Sequence, residues 1–147
     1  MIYKNYSETA KLLAEKIREL TDTNVETFCK TSLPNKIISP KYSLTFISSE
    51  SEDFAKKVAE YLDTSLTELV NPKNLIIIDN GATLAVEYNE FTNEIRKAHP
   101  TTKIILAIPI VPESEVDILS ENCDTLLYLH ADPYFFSLDQ FYEEHSY

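Results

Sequence analysis

The chain has 147 residues, 44% of them apolar and 25% charged, which is enough for one domain with its own core and argues against disorder. It has no apolar run of about eighteen residues and no signal-peptide pattern at Met1-Ile2-Tyr3-Lys4-Asn5, so the expectation is a soluble, cytoplasmic protein with no membrane partner. A formal net charge of −11 argues against nucleic acid or an anionic bilayer as a partner, and one glycine and two arginines supply little for cradling phosphate.

In chain order, Ser7 is placed to cap a first helix whose apolar face is Ala10, Leu13, Ile17 and Leu20, with Thr21-Asp22-Thr23-Asn24 ending it. Residues 22–41 read as an insertion. Within it, Val25 to Cys29 and Lys36 to Ser39 would be two short strands of a hairpin around Leu33-Pro34-Asn35. Ser43 to Ile47 is the first core strand. Ser48-Ser49-Glu50-Ser51-Glu52 follows as a loop, and Ser49 and Glu52 have capping-box spacing for a helix that buries Phe54, Ala55, Val58, Tyr61 and Leu62. Ser65 to Leu69 is a short edge strand. Leu75 to Ile78 are four consecutive large apolar residues, a strand covered on both faces. Asp79-Asn80-Gly81 turns the chain into a helix with Leu84, Tyr88, Phe91, Ile95 and Ala98 on one side, stopped by His99-Pro100. Lys103 to Val111 is the next buried strand, with an end or bulge near Pro109. Pro112 opens a short helix to Asn122 that turns Val116 and Leu119 inward, and Thr125 to Leu129 is the last strand. The tail, 132–147, is aromatic and acidic. Packing on its own domain is the first reading of those aromatics, and a homodimer contact is the second.

Strands alternating with helices imply a doubly wound α/β domain, a mostly parallel sheet with helices on both faces. Counting from Ser43, right-handed crossovers give the order 2-1-3-4-5. The second strand is short or missing, because the seven residues from Glu68 to Asn74 reach at most about 25 Å. Ligands in such sheets sit at the switch point, between the loops after strands one and three.

Three stretches resemble the type I phosphoribosyltransferases, and in particular their predicted phosphoribosyltransferase branch. Ile76-Ile77-Ile78-Asp79-Asn80-Gly81-Ala82-Thr83 is similar to the phosphoribosyl-diphosphate motif. Phe46 to Leu62 takes the place of the strand, diphosphate loop and helix. Pro133 to Ser146, with its Gln140-Phe141-Tyr142, is similar to the segment that closes the domain in that branch. The resemblance implies Asp79, Asn80, Gly81, Ala82 and Thr83 as ribose and phosphate ligands and Ser48, Ser49, Glu50 and Ser51 as the diphosphate-loop position. It also implies magnesium as cofactor if transfer occurs, and transfer of ribose 5-phosphate to a nitrogenous base.

The departures point the other way. Asn80 replaces the second acid, Leu84 a glycine, Val86 a hydroxyl residue, and Ser48 to Ser51 an Arg-Gly-Gly-type loop. Glu50 alone would repel a phosphate about 4 Å away by on the order of 4 kcal/mol at an effective dielectric near 20. The interval that holds the family's hood is nearly empty. The expectation is a degenerate, hoodless relative without transfer activity, a binding or assembly module for a nucleotide, a sugar phosphate or a protein. The alternative is an active phosphoribosyltransferase.

Single residues have bland readings beside the sharp ones. Asp79 and Thr83 also suit the end of a strand and the cap of the next helix, and Glu50 and Glu52 oppose an anion nest at Ser48, Ser49 and Ser51. His99 suits a helix C-terminus, and His130 is a candidate site residue. Asp132, Asp139, Glu143 and Glu144 read as a solvated tail before a cation site, and no metal is expected. Cys29 and Cys123 read as buried free thiols.

Overall fold

A computed structural model describes residues 2–29, 43–46, 49–62, 74–81 and 85–144. The protein is α/β, with parallel strands in open sheets and helices packed against them. In chain order the elements are α1 (Tyr6–Cys29), β1 (Ser43–Phe46), α2 (Ser49–Tyr61), β2 (Asn74–Ile78), α3 (Val86–Ala98), β3 (Lys103–Ala107) and β4 (Ile110–Pro112). They continue with α4 (Val116–Glu121), β5 (Thr125–Leu127) and β6 (His130–Asp132). No helix among the described residues is long and apolar enough to cross a membrane.

Four strands form the main sheet in the order β1-β2-β3-β5, all parallel. Its centre is the apolar run after Asn74. Leu75, Ile76, Ile77 and Ile78 are all fully buried, as a strand covered on both faces must be. Alternation sends them to two cores. Ile76 and Ile78, with Ile105 and Ala107, meet Ala10, Leu13, Ala14 and Ile17 of α1 and Phe54, Ala55 and Val58 of α2. Leu75 and Ile77, with Ile104, Leu106 and Ile108, meet Tyr88 and Ile95 of α3 and Leu119 of α4. Each such side chain contributes roughly 1.5–3 kcal/mol by leaving water.

The helices thus change face between α2 and α3 while the strands keep stepping in one direction. A direct β1–α2–β2 crossover and a direct β2–α3–β3 crossover would have opposite hands.

Near Pro109 the ladder breaks and resumes. Proline has no N–H to donate, but its carbonyl accepts from Leu129 at 2.9 Å and His130 at 3.0 Å. β3 pairs with β5 and β4 with β6 at the same twenty-residue offset, Ile105 with Thr125 and Ile110 with His130. The last strand expected to end at Leu129 therefore continues as β6.

The N-terminal half corrects the sequence reading. α1 runs through Thr21-Asp22-Thr23-Asn24 to Cys29, so Val25 to Cys29 is helix and not a hairpin strand. Thr, Asp and Asn each cost only a few tenths of a kcal/mol in a helix, and extending an existing helix is far easier than starting one. The first proline is Pro34. The other hairpin strand, residues 36–39, and the edge strand, residues 65–69, lie outside the described residues. Asn5, not Ser7, caps α1. Its Oδ1 accepts the Glu8 amide at 3.0 Å, while the Glu8 carboxylate accepts the Lys4 amide. Ser7 instead bonds the Tyr61 hydroxyl at 2.8 Å, tying α1 to α2. At the other end of the chain, Tyr3 accepts and donates backbone bonds with Glu143 and Phe141 at 2.8 and 2.7 Å, joining the tail to the start of the chain.

Candidate functional site

The carboxyl end of β2 lies next to the change of helix face. Asp79 follows the strand directly, and its amide donates to Ala107 on β3 at 3.2 Å. Its carboxylate is buried and bonded within the fold. Oδ2 accepts the Tyr88 hydroxyl at 2.5 Å and Oδ1 accepts the Asn80 amide at 2.8 Å. A buried polar pair is costly to separate, so this bond ties β2 to α3. Tyr88 is 1% exposed, and Thr92 one turn on returns its hydroxyl to the Tyr88 carbonyl at 2.9 Å. α3 starts at Val86 after Ala85, with no side-chain cap.

Gly81 is covered by the tail. A Cβ placed on it would fall 2.2 Å from Leu138 Cδ1. Leu138 begins a 3₁₀ turn, Leu138–Phe141, whose eclipsed i, i+3 positions point both ends the same way. Leu138 meets the loop after β2. Phe141 meets the ring of His130 at 5.9 Å on β6. One short turn of the tail therefore touches both the loop after β2 and the start of β6. Ala82, Thr83 and Leu84 lie outside the described residues.

The expected diphosphate loop is mostly helix. α2 starts at Ser49, so Ser49, Glu50 and Ser51 sit in its first turn, and Ser48 lies outside the described residues. An alternating Ser/Glu run before an apolar face favours helix once its end is satisfied, and helix starts read from sequence shift by a residue or two.

His130 and Asp132 were the weaker sequence candidates, yet they form a pair. His130 Nε2 lies 2.8 Å from Asp132 Oδ2, and Asp132 Oδ1 accepts the Tyr134 amide at 2.7 Å. The His130 bond first and the Tyr134 amide second hold the Asp132 carboxyl below its ordinary value of 3.8. His99 caps α3, its amide donating to Ile95, and its Nδ1 is buried without a partner. Cys123 is a buried free thiol whose pKa is pushed up to about 11, chiefly by burial. The side chain of Cys29 lies outside what is described. Among the described residues no three His, Cys, Asp or Glu side chains gather as a metal site.

A cleft of about 250 Å³ between α1 and α2 is lined by Lys11, Ala14, Glu15, Arg18 and Tyr61. Its Arg18 donates to the Tyr61 carbonyl at 2.5 Å, which serves the end of α2.

The residues sequence reasoning missed are Tyr88 as the partner of Asp79 and Leu138 as the cover of Gly81. The one available signal was Gly81 itself. A chain with a single glycine needs a reason for its position. Here the reason is close approach by Leu138.

Compared with known proteins, the chain matches no family model, no curated protein and no solved structure. Fold and site together define an α/β protein with an open parallel sheet and an acidic, internally bonded turn at the end of its central strand.

Proposed function

We propose that the chain is a phosphoribosyltransferase-like module without transfer activity, acting in binding or assembly. The observation that carries this reading is the cover on the loop after β2. Where a transferase needs bare glycine backbone facing a phosphate, Gly81 faces Leu138. Two further features support it. The retained acid, Asp79, is bonded to Tyr88 and to the Asn80 amide. Glu50 lies at the start of α2, where a diphosphate would need positive charge.

The finer topology belongs to the same proposal. In the doubly wound order 2-1-3-4-5, with an edge strand at residues 65–69, both crossovers are right-handed and the helices change face between α2 and α3. Direct crossovers would leave one of them left-handed.

Calorimetry with phosphoribosyl diphosphate and magnesium tests the reading. No binding is expected at micromolar ligand. Micromolar binding that disappears in Asp79→Ala would restore the transferase, with magnesium as its cofactor and a nitrogenous base as acceptor. A nucleotide or sugar phosphate titrated in the same way tests whether the module keeps a small ligand.

A further inference from the structure

The turn after β6 carries two large aromatic side chains in water. Tyr134 is 74% exposed and Phe136 is 83% exposed, while Phe135 between them turns inward to Phe141 at 5.4 Å. This turn is firmly held. Asp132 accepts the Tyr134 amide at 2.7 Å. Gln140 Oε1 accepts the amides of Phe136 at 2.7 Å and Ser137 at 3.1 Å, and its Nε2 donates to the Tyr134 carbonyl at 3.1 Å. Behind the turn, Asp132 is fixed by His130 and His130 by the edge of Phe141. Phe141 and Tyr142 fill the core, whereas Tyr134 and Phe136 fill nothing. Aromatic side chains on a preordered turn lose little freedom on binding, which is what interface anchors require.

The charge around them selects the occupant. No lysine or arginine follows Lys103, whereas nine carboxylates do. Up to Lys103, thirteen cations accompany fifteen carboxylates. Near the turn, Asp139, Glu143 and Glu144 are exposed. Lys4 adjoins Glu144, whose amide donates to the Lys4 carbonyl at 2.8 Å, but the carboxylates outnumber it, so a second copy would set a mainly acidic surface against itself, as would an anionic bilayer.

We propose that the Tyr134–Phe136 turn docks into an apolar pocket on a different protein, rimmed by lysine and arginine. This rests on reading the chain as an assembly module and names the chemistry of its partner. Tyr134 and Phe136 are the anchors, and the carboxylates steer the encounter and fix its orientation.

The test is a phage-displayed library of random peptides selected on the full chain. The selected peptides should combine large apolar residues with an excess of lysine and arginine. A synthesised binder should lose affinity about tenfold or more in Tyr134→Ser/Phe136→Ser, and more weakly in Glu143→Lys/Glu144→Lys. Its affinity should also fall as salt rises from roughly 50 to 200 mM. Because both aromatics are exposed, the double variant should keep the wild-type melting midpoint, so a lost signal is not lost folding. Peptides without excess cations, or binders indifferent to the double variant, overturn the proposal. So does a dimer in sedimentation velocity that the double variant splits, because that makes the occupant a second copy. These failures with phosphoribosyl diphosphate still unbound overturn the docking surface alone. Transfer activity overturns the module reading instead.

Discussion

The ends of β2 and β6 are built from similar parts and used in opposite ways. Each places an aspartate at a strand end, satisfied by a ring-bearing partner: Asp79 by Tyr88, Asp132 by His130. After β2 the chain turns inward. The carboxylate is buried and Leu138 lies on the one glycine. After β6 the chain turns outward and leaves Tyr134 and Phe136 in solvent. The stretch that supplies the ligand candidates therefore has its glycine covered by the protein's own Leu138, and the stretch read mainly as packing holds the open surface. A motif marks where a ligand would sit in an open fold. Whether the place is open depends on what the rest of the chain lays over it.

The comparison can be broken most sharply with two phenylalanines five positions apart. Phe141→Ala should cost about 3–5 kcal/mol in urea unfolding, since the ring is 2% exposed and packs with Tyr3 and Ile110. Phe136→Ala should stay within about 0.5 kcal/mol. Equal effects would mean that the tail does not divide into a buried and a displayed part. Next in size, Tyr88→Phe should cost about 1–3 kcal/mol, because it withdraws a donor from a buried carboxylate. An unchanged midpoint would show that the tie between β2 and α3 is idle. Smaller still, Gly81→Ala should cost about 1 kcal/mol, since the added methyl meets only the flexible end of Leu138. Pairing it with Leu138→Ala in a double-mutant cycle should reveal coupling, and strict additivity would separate the loop from the tail.

The smallest effect is on pH. The Asp132 carboxyl is held below 3.8 by His130 and by the Tyr134 amide. A lowered folded pKa adds stability above the unfolded value and loses it as pH falls through the folded one. The loss belongs below about pH 4, and Asp132→Asn should flatten that acid limb in thermal melts taken between about pH 4 and pH 2. The same slope in both proteins would contradict the pairing.

Much of the frame was legible because apolar periodicity and proline act locally. Leu75 to Ile78 declared a strand covered on both faces. Tyr88 and Ile95 marked the inner side of α3, Pro109 the break in the ladder, and Leu119 the short α4, whereas Pro112, expected in the first turn of that helix, is the last residue of β4 and a 3₁₀ turn separates it from α4. Other features were not legible. Four weak helix formers at Thr21 to Asn24 looked like an ending, but propensity is a weak prior against a helix already formed. Ala98, expected on the inner side of α3, is exposed because the helix ends there. The motif singles out Asp79, Asn80 and Gly81 as candidates, but not the side chains that Asp79 and Gly81 meet. The bond from Tyr88 needs the strand and the helix already packed. The contact from Leu138 crosses most of the second half of the chain, and no spacing rule reaches that far.

Gly81 also offers the most direct measurement. As the single glycine, it gives one amide signal when glycine alone is labelled with nitrogen-15, and that signal reports the loop after β2. Titration with phosphoribosyl diphosphate and magnesium should leave it in place up to millimolar ligand, because Leu138 already occupies the space above it. A saturable shift at micromolar ligand, lost in Asp79→Ala, would mean that the loop holds phosphoribosyl diphosphate and that the closed-site account is wrong.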